Sequence, residues 1–187
     1  MSLIALAAVR ATAQDPKQSP PFKLILTSHN RTLNGASLVA CHEGAAIESL
    51  CIHGNVSSIF YLNYTQGWNP PSLGLYGSLT WNLPSGGQNF SSSMELHVNP
   101  TSNVALPLFF PGNSNNPVAI AEDGKLIIPS FVDDNVTPPK YQTVAPSRWW
   151  ACITRYGYLY QTLNWVLGPG RPQNPSCEKV AVVRVYL

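Results

Sequence analysis

The segment Arg148–Gly168, RWWACITRYGYLYQTLNWVLG, predicts a β-hairpin that other strands must cover. Two runs rich in aromatic and β-branched residues meet at Tyr156-Gly157, and such residues favour strands. Because successive strand side chains point to opposite sides, one alternate set of the second run is expected to face the core. That set is Leu159, Gln161, Leu163, Trp165 and Leu167. A hairpin this apolar is not stable alone in water, so it requires partner strands.

The composition indicates a single globular domain with many turns. The chain has 187 residues, of which 44% are hydrophobic and only 11% charged, with 13 glycines and 17 prolines. This balance favours short strands and disfavours a helical bundle or a disordered chain. The net charge is +2 and Lys and Arg do not cluster. We therefore expect neither nucleic-acid binding nor a polybasic membrane surface.

Turn signals recur along the chain and divide it into about a dozen short strands. Phe22–Ser28 is expected to bury Phe22, Leu24 and Leu26, and the apolar segment Val180–Leu187 is expected beside it. The pattern predicts an all-β single domain over residues 22–187, with a β-trefoil or barrel preferred to a two-sheet sandwich. The trefoil reading depends on the pattern x-Gly-x-Leu, which is expected at hairpin turns. It recurs, at unequal spacing, around Gly77, Gly124 and Gly157.

The N-terminus resembles a secretory leader. An apolar run, Leu3–Val9, precedes the small-residue site Ala11-Thr12-Ala13, which predicts a signal peptide over residues 1–13. No basic residue precedes the run and Arg10 lies in the cleavage region, as expected of an incomplete signal sequence. The alternative is an apolar N-terminal strand. Residues 14–21 are predicted to form a flexible, proline-rich arm, and no segment is long enough to span a membrane as a helix.

Sequons and cysteines also indicate secretion. Five segments fit the N-glycosylation pattern, at Asn30, Asn55, Asn63, Asn89 and Asn135. The four cysteines are an even number, as expected in an oxidising compartment, and three pairings are possible. Locality favours Cys41–Cys51 and Cys152–Cys177.

Candidate chemistry is sparse in this sequence. Cys41-His42 and Cys51-x-His53 offer zinc-ligand types, but a disulfide accounts better for these cysteines, and no metal site is predicted. No nucleophile elbow, phosphate loop or dinucleotide fingerprint occurs, so no catalytic residue and no cofactor are predicted. A small glycan hydrolase remains an alternative, because such enzymes use two carboxylates. The available carboxylates are those of Glu43, Glu48, Glu122, Asp123, Asp133 and Asp134.

Aromatic residues are the best indication of function. Five Trp and eight Tyr in a chain of low charge suggest ring faces for stacking on sugar. Trp68 lies in a polar, turn-rich loop, where the alternative role is a loop anchor. Trp149 and Trp150 are adjacent on a strand and must point opposite ways. Trp68, Tyr76 and Trp150 are the predicted ligand contacts.

Three segments together resemble a family of small secreted fungal proteins that carry a domain of unknown function. They are FKLILTSHNRTLNGASLVACHEGAAIESLC (Phe22–Cys51), FVDDN (Phe131–Asn135) and YGYLYQTLNWVLGPGRPQNPSCEKVAVVRV (Tyr156–Val185). More loosely, the chain is similar to fungal cell-wall proteins of the phialide-protein (PhiA-like) type. The resemblance implies an ascomycete source and an extracellular or wall-associated location, and it implies no catalytic residue.

These observations predict a non-catalytic secreted glycoprotein that binds or packs against polysaccharide through exposed aromatic residues. The first alternative is a secreted interaction protein, such as an effector, antigen or inhibitor, that binds another extracellular protein. The hydrolase is the second alternative.

Overall fold

A computed structural model describes residues 17–67, 73–112 and 116–187. The predicted leader at residues 1–13 and Trp68 lie outside these residues. The described chain is all-β and contains no helix. Its strands are β1 (Lys17–Gln18), β2 (Phe22–Thr27), β3 (Ser37–Gly44), β4 (Ile47–His53), β5 (Phe60–Tyr64), β6 (Leu75–Ser85), β7 (Gln88–His97), β8 (Val104–Pro111), β9 (Val118–Ile120), β10 (Leu126–Ile127), β11 (Trp149–Arg155), β12 (Leu159–Val166), β13 (Glu178–Lys179) and β14 (Ala181–Tyr186).

The strands form a closed antiparallel barrel of eight strands, with further strands on the outside. The barrel order is β2-β3-β4-β12-β8-β7-β6-β5, and the β2–β5 pairing closes the ring. Outside it, β1 pairs with β5, β9 with β6, β11 with β12, and β14 with β2. Closure removes most free sheet edges, which would otherwise pair with other chains. The all-β prediction and its barrel alternative are confirmed.

Strand β2 buries alternate side chains, and the closing strand β14 lies beside it. Phe22, Leu24 and Leu26 are fully buried, as a two-residue period predicts for a strand with one face on the core. β14 pairs antiparallel with β2 along its whole length, from Ala181 opposite Thr27 to Tyr186 opposite Phe22. The prediction that the closing strand lies beside the first is therefore confirmed.

Large aromatic side chains fill the barrel. The rings of Phe60 and Phe109 stack with centroids 5.9 Å apart, and both are fully buried. Trp149 is also buried, and its indole Nε1–H donates a hydrogen bond to the Leu126 carbonyl at 2.8 Å. This bond satisfies a polar group that would be costly to bury alone. Trp150, the next residue, points away from the core and is half-buried.

The predicted core face of β12 is only partly buried. Leu163 and Trp165 pack into the main core, but Leu159 is 57% exposed and Gln161 is exposed. The reason is the position of the barrel neighbours of β12. Its pairings with β4 and β8 begin at Thr162, so the β11–β12 hairpin projects past them at its turn.

Two local predictions differ from the structure. Gly77 lies inside β6 and not at a hairpin turn, so the three x-Gly-x-Leu segments do not occupy equivalent positions. A Cβ at Gly77 would lie 2.2 Å from the Asn63 carbonyl oxygen, so glycine is needed there for close strand contact. The described part of the predicted flexible arm contains β1, which pairs with β5. Ser19 is buried, and its hydroxyl accepts a hydrogen bond from the N–H of Leu62 at 2.9 Å.

Two disulfides join neighbouring strands and segments. Cys41 is bonded to Cys51 across the β3–β4 hairpin, and Cys152 on β11 is bonded to Cys177 just before β13. These are the pairings that locality favours. Such bonds are typical of an extracellular or otherwise oxidising environment. Within the described ranges, no helix is long and apolar enough to cross a membrane.

Candidate functional site

The β11–β12 hairpin presents its outer face to solvent at both ends. Directly paired residues of antiparallel strands share a face, so Tyr160 lies on the same face as Thr154, and Trp150 on the same face as Asn164. The middle of this face is covered, because Cys152 packs in a small cluster with Val104 and Val166. The accessible parts of this face are therefore the turn and, at the base, the half-buried Trp150 ring, whereas Asn164 is fully buried.

Three tyrosines surround the turn of the hairpin, and we call Tyr156, Tyr158 and Tyr160 the tyrosine tip. Tyr158 is 50% exposed and Tyr156 is 39% exposed. The Tyr158 ring centroid lies 5.9 Å from that of Tyr160 and 5.8 Å from that of His42. Tyr156 meets the imidazole of His97 edge to face at 4.9 Å. These contacts limit the motion of the rings and leave much of their surface accessible.

A buried carboxylate holds the tyrosine tip against β3. Glu43 is only 3% exposed, and its Oε2 accepts hydrogen bonds from the backbone N–H groups of Gly157 (2.9 Å) and Tyr158 (3.0 Å). Its Oε1 accepts a third bond from the Ser49 hydroxyl at 2.9 Å. Three donors compensate the carboxylate for the loss of water. The contact is also close, because a Cβ at Gly157 would lie 2.0 Å from the Glu43 carbonyl oxygen.

A pocket of about 240 Å³ lies beside the tip, and we call it the tip pocket. Among the described residues its lining contains amides, hydroxyls, an imidazole and a guanidinium but no carboxylate: His97, Asn99, Ser102, Val104, Leu106, Ile153, Thr154, Arg155, Tyr156, Asn164 and Asn174. Asn164 is fully buried, and its Nδ2 donates to the Thr162 carbonyl and hydroxyl oxygens, both at 2.9 Å. Its Oδ1 has no hydrogen-bond partner in the described part of the chain. An unpaired buried acceptor raises the free energy of the folded chain.

A larger groove of about 890 Å³ lies at the base of the hairpin, and we call it the base groove. Its walls are formed by Asp134, Asn135, Pro146, Ser147, Arg148, Trp150, Val166, Gly168, Pro169, Gly170 and Lys179. The Lys179 ammonium lies 5.1 Å from the centroid of the Trp150 ring and donates a hydrogen bond to the Ser147 carbonyl. Burial lowers the pKa of Lys179, and the positive charge of Arg148 lowers it further. Two cations therefore share one groove.

The three predicted ligand contacts have different environments. Trp150 lines the base groove and is half-buried. Tyr76 is only 9% exposed, packs with Leu73 and Ala119, and meets the Phe131 ring edge to face at 6.1 Å. Burial also raises the pKa of its phenol. The Tyr76 ring is a packing element, so we leave it out of the candidate site. Trp68 lies outside the described residues and stays a prediction.

Asn55 and Asn89 are the most open of the five predicted glycosylation sites. Both are exposed, and neither side chain makes a hydrogen bond within the described residues. Three sites use their carboxamides in local bonds: Asn30 with Glu178, Asn63 with Gln18, and Asn135 with Asp133.

The carboxylates needed by the hydrolase alternative serve other roles or lie apart. Glu43 and Glu48 are the buried pair, on neighbouring strands of the β3–β4 hairpin. Burial raises the pKa of Glu48, and the charge of Glu43 adds to this shift. However, Glu43 is engaged by three donors, and neither residue lines the tip pocket or the base groove. Asp123 bonds Lys125 beside the β9–β10 turn, and Asp133 bonds Asn135 and Gln142 in an exposed loop.

Zinc ligation by the cysteines is not available in this structure. Cys41 and Cys51 are joined to each other, so neither offers a thiolate. Across the residues that the structure describes, no group of three or more His, Cys, Asp or Glu side chains could hold a metal ion.

Sequence reasoning missed the tyrosine tip. The segment Tyr156-Gly157-Tyr158-Leu159-Tyr160 was interpreted only as a turn followed by a strand with Leu159 facing the core. The alternation of tyrosines next to a turn was the available signal, because residues at a projecting turn have fewer neighbours to cover them.

Comparison with known proteins identifies a family but no activity. A family model described as a domain of unknown function (DUF7907) matches residues 19–186. No curated protein and no solved structure matches the chain.

Proposed function

The chain belongs to the DUF7907 family, and we propose from its own surface that it is a non-catalytic secreted glycoprotein that binds polysaccharide through exposed aromatic side chains. The observation that carries this proposal is the tyrosine tip, where Tyr156 and Tyr158 are 39% and 50% exposed on a hairpin held by Glu43. The fungal resemblance of the sequence supports an extracellular or cell-wall location.

Tyrosine rings suit the recognition of sugars because they combine an apolar face with a polar edge. The face packs against the C–H groups of a sugar ring, and the phenol exchanges hydrogen bonds with its hydroxyls. Holding the rings in place before binding reduces the entropy lost when the ligand arrives. Contacts at 5.9 Å between Tyr158 and Tyr160 and at 4.9 Å between Tyr156 and His97 provide this restraint.

The tip pocket supplies polar groups next to these rings. Ser102 and Thr154 on its lining carry hydroxyls that can donate and accept, and Asn99 and Arg155 carry N–H donors. A sugar hydroxyl can donate and accept at once, so it matches this mixture. The absence of carboxylates from the lining supports binding over hydrolysis.

The chemistry of the chain supports an extracellular location. Two disulfides are stable in an oxidising compartment, and five sequons would add sugar during secretion.

Retention on insoluble polysaccharide tests the proposal. We expect wild-type protein to be retained on chitin or β-glucan, and Tyr158→Ala with Tyr160→Ala to weaken retention without changing the melting temperature. Tyr141→Ala is the matched control, because Tyr141 is 94% exposed and does not line the tip pocket. Trp68→Ala tests the loop contact predicted from sequence. Equal retention of the tip variant and wild type, or hydrolysis abolished by changing one carboxylate, would overturn the proposal.

The opposite face of the projecting turn favours a second candidate, a protein partner. Ile153 is 50% exposed and Leu159 is 57% exposed, and the two are diagonal neighbours across the β11–β12 pairing. Exposed aliphatic pairs are more typical of protein contacts than of sugar contacts. If wild-type protein ignores every polysaccharide offered, this face becomes the leading functional surface.

A further inference from the structure

Arg148 and Lys179 are cations of the base groove that have no carboxylate partner among the described residues. Among the described residues, Lys125–Asp123 is an ion pair and His42 contacts Glu48, and neither contact involves the groove. Arg148 makes no side-chain hydrogen bond within the described chain, whereas the Lys179 ammonium is held by the Ser147 carbonyl and the Trp150 ring. The groove thus holds an oriented ammonium and a free guanidinium.

Like charges in one groove raise the free energy of the folded chain. The charge of Arg148 disfavours the protonated form of Lys179, and partial burial disfavours it more. Both effects would be smaller if the two side chains extended separately into water. An anion between them would instead convert the repulsion into two attractive, charge-assisted contacts.

The other groups that face the groove limit what it can bind. Asp134 is the one carboxylate among the described residues of its lining, and with Arg148 and Lys179 it leaves an excess of one positive charge there. Asn135 adds an amide, and Val166 with Pro169 adds an apolar wall beside the Trp150 indole. A volume of about 890 Å³ exceeds that of a small inorganic ion and suits a segment of a larger ligand.

We propose that the base groove binds the anionic substituent, a carboxylate or a sulfate, of an acidic polysaccharide. Arg148 and Lys179 bind the anion, while Trp150 and Pro169 contact the sugar ring that carries it. This inference rests on the proposed function and specifies its ligand class. It assigns the neutral part of the polysaccharide to the tyrosine tip.

Affinity electrophoresis with three soluble polymers tests the inference. The probes are polygalacturonate for carboxylate, dextran sulfate for sulfate, and unsubstituted dextran as the neutral reference. We expect wild-type protein to bind one or both anionic polymers, with binding weakened as salt is raised because the contacts are electrostatic. Arg148→Gln and Lys179→Gln should each weaken this binding by about tenfold. Lys179→Arg, which keeps the charge, should retain most of it.

Lys17→Gln is the matched control, because it removes the same charge from an exposed residue of β1. Equal loss with Lys17→Gln would indicate a non-specific charge effect and overturn the inference. Failure of wild-type protein to bind either anionic polymer would also overturn it. Retention on chitin or β-glucan in that case would leave the proposed function standing. The melting temperatures of Arg148→Gln and Lys179→Gln show whether each variant folds. If one of them fails to fold, the other still tests the site.

Discussion

Glu43 accepts a hydrogen bond from the backbone N–H of Tyr158 at 3.0 Å, joining two residues that are 115 positions apart in the chain. The same oxygen accepts the N–H of Gly157, so one carboxylate holds the turn of a hairpin that projects beyond the barrel. Because backbone groups make these bonds, the tyrosine side chains stay free for a ligand. Fold and proposed binding surface are therefore linked at this residue.

Replacing Glu43 with glutamine is expected to loosen the tyrosine tip. The amide keeps one oxygen but loses the charge that strengthens three hydrogen bonds, so we expect a loss of about 2 kcal/mol in the free energy of unfolding. Urea unfolding measures this loss, and amide hydrogen exchange at Tyr158 should accelerate. Glu122→Gln, at an exposed position beside the β9–β10 turn, is the control. Unchanged exchange at Tyr158 would mean that the turn holds itself without Glu43.

Gly157→Ala is expected to destabilise the same contact by sterics. Its Cβ would lie 2.0 Å from the Glu43 carbonyl oxygen, so the turn must move away from β3. Overpacking of this kind costs about 1–3 kcal/mol. Gly54→Ala is the matched control, because a Cβ there meets nothing within 4 Å. Thermal unfolding compares the two variants, and equal melting temperatures would contradict the close approach.

Glu48 is expected to make stability depend on pH. Burial raises the pKa of its carboxyl above the ordinary 4.5, a hydrogen bond with His42 opposes the shift, and the charge of Glu43 adds to it. The folded state then holds a proton that the unfolded state releases. The resulting contribution to stability is full below pH 4.5 and is lost as pH rises through the raised pKa.

Glu48→Gln should flatten this slope, which urea unfolding at several pH values above 4.5 would measure. The pKa values of Asp123 and Asp133 are lowered from 3.8, so these two carboxyls change the free energy of unfolding only below about pH 3.8. They therefore do not contribute to the slope above pH 4.5. An unchanged slope in the variant would assign the pH dependence to another group.

N-linked sugar is expected on Asn55 and Asn89 when the chain is secreted from a eukaryotic host. Both side chains are exposed and make no hydrogen bond within the described residues, so a glycan there stays in water. Asn55→Gln and Asn89→Gln should each remove one glycan from the intact mass. Asn99→Gln is the control, because the proline of Asn99-Pro100-Thr101 prevents modification. A mass unaffected by enzymatic deglycosylation would argue against secretion by this route.

Local sequence was enough to predict the features that depend on short-range geometry. The two-residue period identified Phe22, Leu24 and Leu26 as buried, and it placed Trp149 and Trp150 on opposite faces. Both disulfides close short loops, so chain proximity was sufficient to favour them. The abundance of turns and strand formers was enough to predict an all-β domain, with a β-trefoil or barrel preferred to a sandwich.

Tertiary structure alone decided which faces are covered, because coverage depends on partners far away in sequence. Alternation put Leu159 and Leu163 on the same face, but only Leu163 lies within reach of the barrel core. Tyr76 was a predicted ligand contact, yet Leu73 and Ala119 pack against it.

The same reason explains the functional surfaces. Glu43 was only one of six candidate carboxylates in the sequence, and it is a buried anchor because the β11–β12 turn, 114 residues away, presents two N–H groups to it. Arg148 and Lys179 carry no shared motif and meet only because β13 pairs with β11. A sequence period specifies which side chains share a face of a strand. Non-local pairing, whose stability depends on the whole barrel, decides what that face meets.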